Sequence, residues 1–103
     1  MNLDVVPEGL AAASAQAGAL VTRLIAHNAV HAAAGSAVLP PGSDPVSVKT
    51  AAALLVGNTE HTVMAMMGNE EMGRSSMGVA ESSTSYALGD NLGAAGFVAV
   101  ATV

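Results

Sequence analysis

At 103 residues the chain is one domain at most, and without Cys it has no disulfide, thiolate metal site or Cys nucleophile. Three Lys+Arg against eight Asp+Glu leave a net charge of −5. That argues against nucleic acid, whose binding depends on neutralising phosphates, and against an anionic membrane surface. The hydrophobic fraction is 51% but aromatics are only 2%, and much of the rest is Ala. Ala buries little area, so this composition suits closely approaching helices rather than a thick monomeric core.

Residues 1–6 read as an extended lead-in. They carry Asp4 and no basic segment ahead of an apolar run, so no cleaved signal peptide is expected. Pro7 suits the first helical turn, because its missing N–H has no intrahelical partner there, and Glu8 favours the positive helix N-terminus. Val6 is a poor N-cap. Helix one is predicted over residues 7–37, with Leu10, Ala13, Ala17, Leu20, Leu24, Asn28 and His31 on one stripe that Val21 and Ile25 widen. Arg23 interrupts its best apolar run, which falls short of the roughly 20 residues needed to span a bilayer, so no integral membrane segment is expected.

Residues 38–44 are the clearest break. Pro40, Pro41 and Gly42 end helix one, while Asp44-Pro45 is an N-cap followed by proline at the first helical position. A short break between two long helices implies an antiparallel hairpin, hence an all-α fold. Helix two is predicted over residues 45–87, with a stripe of Ala52, Leu55, Val56, Thr59, Val63, Met66, Met67, Gly73 and Met77. Gly57, Gly68, Gly73 and Gly78 each weaken it by about 1 kcal/mol relative to Ala, so packing has to make up the difference. Gly89, Gly93 and Gly96 predict a flexible tail over residues 88–103. Two such helices leave apolar faces exposed unless a partner covers them. A required partner ranks above a self-contained small bundle or a homodimer.

Little in the chain reads as chemistry. His27 and His31, four apart, can turn two imidazoles toward one metal, but a site needs a third ligand. With the hairpin folding near residue 41, His61 falls on the order of 9 Å or more along the bundle from His27. Polar surface or interface histidines are the stronger reading, and no metal or cofactor is expected. The Ser75-Ser76 and Ser82-Ser83 pairs sit in no nucleophile elbow. Glu70 and Glu71, being adjacent, diverge on a helix. No enzymatic activity is expected. Met64, Met66, Met67, Met72 and Met77 suit adaptable apolar packing better than a soft-metal site.

Tyr86 and Asp90, four residues apart in Tyr86-Ala87-Leu88-Gly89-Asp90, share one helix face. Tyr-x-x-x-Asp is common by chance, but here it follows two long helical stretches, where a docking signal can stay accessible. Pro7-Glu8, the Ala-rich first helix, the Pro40-Pro41…Asp44-Pro45 bend and this tail, in that order, resemble the mycobacterial PE family. The segment Val5-Val6-Pro7-Glu8-Gly9-Leu10-Ala11-Ala12-Ala13-Ser14 looks most like the PE protein of the metal-regulated third ESX locus.

The resemblance implies a secreted, non-enzymatic substrate of type VII (ESX) systems that acts as the heterodimer partner of a PPE protein. The hairpin would complete a four-helix bundle with two PPE helices, with an EspG-type chaperone on the PPE subunit. Tyr86 and Asp90 would be the export signal read by the ESX machinery, Pro7 and Glu8 the family motif. The end point would be the medium or cell surface, and the implied physiology siderophore-linked iron acquisition. Leu20, Leu24, Val56, Val63 and Met67 are expected at the partner seam, the other stripe residues within the hairpin. The alternative is a stand-alone hairpin, homodimeric or attached to a lipid surface.

Overall fold

The computed structural model describes residues 3–102. Its elements are two α-helices, α1 (Pro7–Ser36) and α2 (Pro45–Ala101), with no strand among the described residues. Both start at a proline, as the sequence predicts. At α1 the Val6 carbonyl accepts from the N–H groups of Gly9 at 2.9 Å and Leu10 at 3.2 Å. At α2 the Asp44 carboxylate is a full N-cap, accepting from the Ser47 N–H at 3.0 Å and the Ser47 hydroxyl at 2.6 Å. α1 ends without a left-handed residue; Pro40 and Pro41 prevent its resumption.

The far end of α2 differs from the reading above. The helix runs to Ala101, where the sequence placed its end near Ala87 and a flexible tail beyond. Gly89, Gly93 and Gly96 are separated by Leu92, Ala94 and Ala95, good helix formers, and no proline intervenes, so weakening does not become termination. α1 also reads differently as a possible span. Its most apolar 18-residue stretch reaches a mean hydropathy of 1.2, so by length and composition alone it is long and apolar enough to cross a bilayer.

The described residues gather into two units: the chain up to Ala19 together with the chain from Gly73 on, and Leu20 to Met72. In the first, α1 and α2 pack antiparallel through hydroxyls. Ser14 Oγ donates to the Ser76 carbonyl at 2.7 Å and Ser76 Oγ donates to the Ser14 carbonyl at 2.9 Å. One heptad further toward the helix start, Ser83 Oγ donates to the Pro7 carbonyl at 2.6 Å.

In the second unit the contacts are amides. Asn58 Nδ2 donates to the Ala32 carbonyl at 3.2 Å, and Asn28 Nδ2 to Asn69 Oδ1 at 3.4 Å. Gly35 lies against Asn58, so close that a methyl group there would collide with the amide. Hydrogen bonds of this kind satisfy polar groups in the seam and fix which residues face each other.

The seam therefore runs along small and polar residues, and the large apolar stripe lies elsewhere. Among the described residues Ala51 is the one apolar residue that is buried; Ser14, Asn69 and Ser76 are the buried polar ones. Of the stripe expected on α1, Leu10, Ala17, Val21 and Asn28 are half-buried, while Ala13, Leu20, Leu24, Ile25 and His31 are exposed. Of the stripe on α2, Leu55 and Gly73 are half-buried and the rest are exposed. The expectation that the stripe residues other than the five at the partner seam pack within the hairpin is corrected for Ala13, Ile25, His31, Ala52, Thr59, Met66 and Met77, which are exposed. Small side chains let the two backbones approach, and Leu, Val and Met are too wide for that seam.

Candidate functional site

Tyr86 and Asp90 follow directly from the last inter-helix anchor. Ser83, tied to the Pro7 carbonyl, lies three residues before Tyr86 and seven before Asp90, so all three share one side of α2. Because Pro7 is the first residue of α1, these two turns of α2 meet the extended lead-in instead of a helix. Leu3, Asp4 and Val5 line a pocket of about 400 Å³ with Tyr86 and Asp90. The Tyr86 ring is 42% exposed, and Asp90 and Asp4 are both exposed. Tyr86 and Asp90 are thus brought together and remain accessible, but they are not bare: the lead-in stands beside them.

Pro7 and Glu8 serve the start of α1. Pro7 supplies the carbonyl that Ser83 holds, and Glu8 lies exposed in the first turn, where its charge opposes the helix dipole.

The five residues expected at a partner seam all lie in the unit from Leu20 to Met72, and all face outward. Leu20 is 53% exposed, Leu24 37%, Val56 60%, Val63 52% and Met67 62%. Val56, Val63 and Met67, spaced by seven and four, share a face of α2 roughly half a turn from the seam residues Asn58, Ala65 and Asn69. Met64, Met66, Met72 and Met77 are exposed as well. The chain exposes 7878 Å² in all, against roughly 5,200 Å² for a typical folded monomer of its mass.

The histidines need a correction of register. The Asn58–Ala32 bond puts His61 opposite about residue 29, close in level to His27 and His31, so the separation along the bundle inferred from a fold near residue 41 does not hold. The bend has close to the expected length, but α1 ends at Ser36 opposite about residue 54 while α2 already starts at Pro45, so the first turns of α2 lie beyond the end of α1 and shift the register. His27 and His31 stack, with ring centroids 5.8 Å apart and planes at 19°. Among the described residues no three His, Cys, Asp or Glu side chains are grouped to hold a metal.

One carboxyl group has a clear electrostatic signature. The Ser47 hydroxyl, and after it the Ser47 N–H, hold Asp44 below the usual carboxylate range. That is a structural cap at the start of α2, with no sign of catalysis around it.

Sequence reasoning missed the residues that join the helices: Ser14, Asn58, Asn69, Ser76 and Ser83. Part of their signal was present as a heptad of small and polar residues, at 14, 28 and 35 on α1, interrupted by Val21, and at 69, 76 and 83 on α2, with Asn58 off that heptad. The expected α1 stripe already includes Asn28, but Ser14, Asn58, Asn69, Ser76 and Ser83 lie off the stripes that the periodicity marks on the two helices. Leu3, Asp4 and Val5 were missed because an extended segment carries no periodicity.

A family model described as "PE family" matches residues 3–92. Among curated proteins, the chain is 52% identical over 95 residues to "PE family immunomodulator PE5" of Mycobacterium tuberculosis (strain ATCC 25618 / H37Rv), covering 92% of this chain and 93% of that protein. It is 51% identical over 98 residues to "PE family immunomodulator PE15" of Mycobacterium tuberculosis (strain CDC 1551 / Oshkosh), covering 95% and 96%. No solved structure matches.

Proposed function

The chain belongs to the PE family, and we propose from that membership that it is a non-enzymatic type VII secretion substrate, working as the obligate heterodimer partner of a PPE protein. The observation that carries this reading is the inverted distribution of side chains. Ser and Asn are buried between the helices while Leu20, Leu24, Val56, Val63 and Met67 face outward. Burial of apolar area is the main driving force of folding, and within one chain this hairpin uses little of it. Two helices of a PPE protein laid along those faces would make a four-helix bundle and supply the missing core.

In this reading an EspG-type chaperone holds the PPE subunit in the cytosol. Tyr86 and Asp90 then direct the assembled pair to the ESX machinery and so to the medium or cell surface. The relatives' names, which call them immunomodulators, support an end point outside the bacterial cytoplasm. The likeness of residues 5–14 to the PE protein of the metal-regulated third ESX locus supports a part in siderophore-linked iron acquisition, served by the complex and not by a metal site in this chain.

The test is co-expression with a candidate PPE protein. A soluble one-to-one complex, with the chain alone insoluble or self-associated, is the expected result. A cooperative, monodisperse monomer would sink the obligate-partner claim. The exposed apolar faces also fit a second copy or a lipid surface, and sedimentation of the chain alone as a discrete, stable homodimer that ignores the PPE protein would favour that reading.

A further inference from the structure

The lead-in ahead of α1 has no part in the seam, yet its position is determined. The Ser83–Pro7 bond pins the start of α1 to α2, and the Val6 carbonyl is held by the N–H groups of Gly9 and Leu10. Residues 3–5 are thereby brought beside the next two turns of α2. There Leu3, Asp4 and Val5 share a pocket with Tyr86 and Asp90.

We propose that Leu3, Asp4 and Val5 form one docking surface with Tyr86 and Asp90, and that the pocket they line receives a basic side chain, Arg or Lys, from a protein partner. The inference rests on the reading of Tyr86 and Asp90 as an export signal, and names both a further part of that signal and the chemistry it recognises.

The lining has the three elements that such a side chain needs. Asp4 and Asp90 supply carboxylates from two separate segments, and carboxylates are the preferred partners of guanidinium and ammonium groups. The Tyr86 ring, partly exposed, presents a π face on which a cation can rest. Leu3 and Val5 offer apolar surface for the methylene stem of Arg or Lys. Among the described residues no basic side chain lines the pocket. The nearest along α2, Arg74, is twelve residues from Tyr86, about 18 Å of helix. Glu8 and Glu81, the charged residues next nearest in sequence on either side, add to the negative field. At about 400 Å³ the pocket is large enough to admit an Arg or Lys side chain.

The discriminating experiment places Asp4→Lys, Asp4→Glu, Tyr86→Ala and Asp90→Asn in the full chain, expressed with its PPE partner in a secreting mycobacterial host. Two quantities are read for each: copurification of the pair from lysate, and the ratio of culture filtrate to lysate. The expected result is an intact pair for all four. Filtrate should fall by about threefold or more for Asp4→Lys, the scale of losing and reversing one exposed charge contact, and stay at the native level for Asp4→Glu. Native export of Asp4→Lys alongside reduced export of Tyr86→Ala and Asp90→Asn overturns the shared pocket and leaves the export signal standing. Native export of all four overturns both. Equal loss for Asp4→Lys and Asp4→Glu also overturns the proposal, because a cation site tolerates the longer carboxylate.

Discussion

Ser14 and Ser76 exchange hydroxyl-to-carbonyl hydrogen bonds in both directions across the two helices, at 2.7 Å and 2.9 Å. Each side chain is nearly buried, 9% and 8% exposed. A reciprocal pair of this kind holds two backbones at close range and fixes their register, since sliding by one residue breaks both bonds and leaves buried hydroxyls unpaired. It also fills with hydroxyls a place where a helical pair usually buries Leu.

Removing the Ser14 hydroxyl tests that role. Ser14→Ala is expected to destabilise the chain–partner complex by about 1 kcal/mol through the lost hydrogen bond. Ser14→Leu should cost about 1–3 kcal/mol because the seam has no room for the larger side chain. Urea denaturation of the complex, followed by circular dichroism, measures both. If Leu proved no worse than Ala, the close approach would be wrong.

The outward faces give an opposite expectation. Leu24→Asp or Val63→Asp would place an unpaired charge at the proposed partner seam, at a cost of several kcal/mol. Neither should disturb the α1–α2 seam itself, from which both side chains are turned away. Copurification with the PPE partner is the measurement, and undiminished recovery would contradict this placement.

Export is expected to separate from assembly at Tyr86 and Asp90. Tyr86→Ala and Asp90→Asn are expected to leave the heterodimer intact while lowering its appearance in culture filtrate. If Tyr86 merely packs the bundle end against Leu3 and Val5, Tyr86→Ala loosens the complex and Asp90→Asn does almost nothing. Tyr86→Phe, which removes only the hydroxyl, tells whether the ring or its polar tip is read.

Asp44 gives a pH dependence of known sign. Its carboxyl is held low in the folded state by Ser47, so the cap stabilises α2 fully above the ordinary carboxylate pKa and is lost as pH falls through the depressed folded value. Asp44→Ala should therefore lower the thermal midpoint of the complex by a constant amount from neutral pH to about pH 5, with the difference shrinking in stronger acid. A difference that grew on acidification would contradict the cap.

Metal binding is expected to be weak. Two stacked imidazoles on an exposed helix face, with no third ligand grouped beside them among the described residues, lack the closed donor set of a tight site. Calorimetric titration of the complex with zinc or ferrous iron should show no sub-micromolar event. A tight site abolished by His27→Ala would bring direct metal binding back.

Local chemistry in the sequence was enough for the helices and the bend. Pro7 and Pro45 mark both helix starts, Asp44 marks the cap, and Pro40-Pro41 marks the break; each acts through its own backbone or nearest turn, so each is visible without a fold. The family, too, was legible in the ordered motifs. Glycine spacing misled at the far end of α2, because propensity gives a cost and does not by itself end a helix.

The face on which the helices meet could be decided only by tertiary structure. Periodicity alone marks a side of each helix as apolar, and cannot say whether that side turns to the sister helix or to another molecule. Here close backbone approach selected Ser14, Asn58, Asn69 and Ser76 for the inside and left Leu20, Leu24, Val63 and Met67 outside. Register was likewise invisible, since it depends on how far the first turns of α2 lie beyond the end of α1. The Asn58–Ala32 and Ser83–Pro7 bonds set it, and the second of these brings Leu3, Asp4 and Val5 beside Tyr86 and Asp90, residues more than eighty positions apart along the chain.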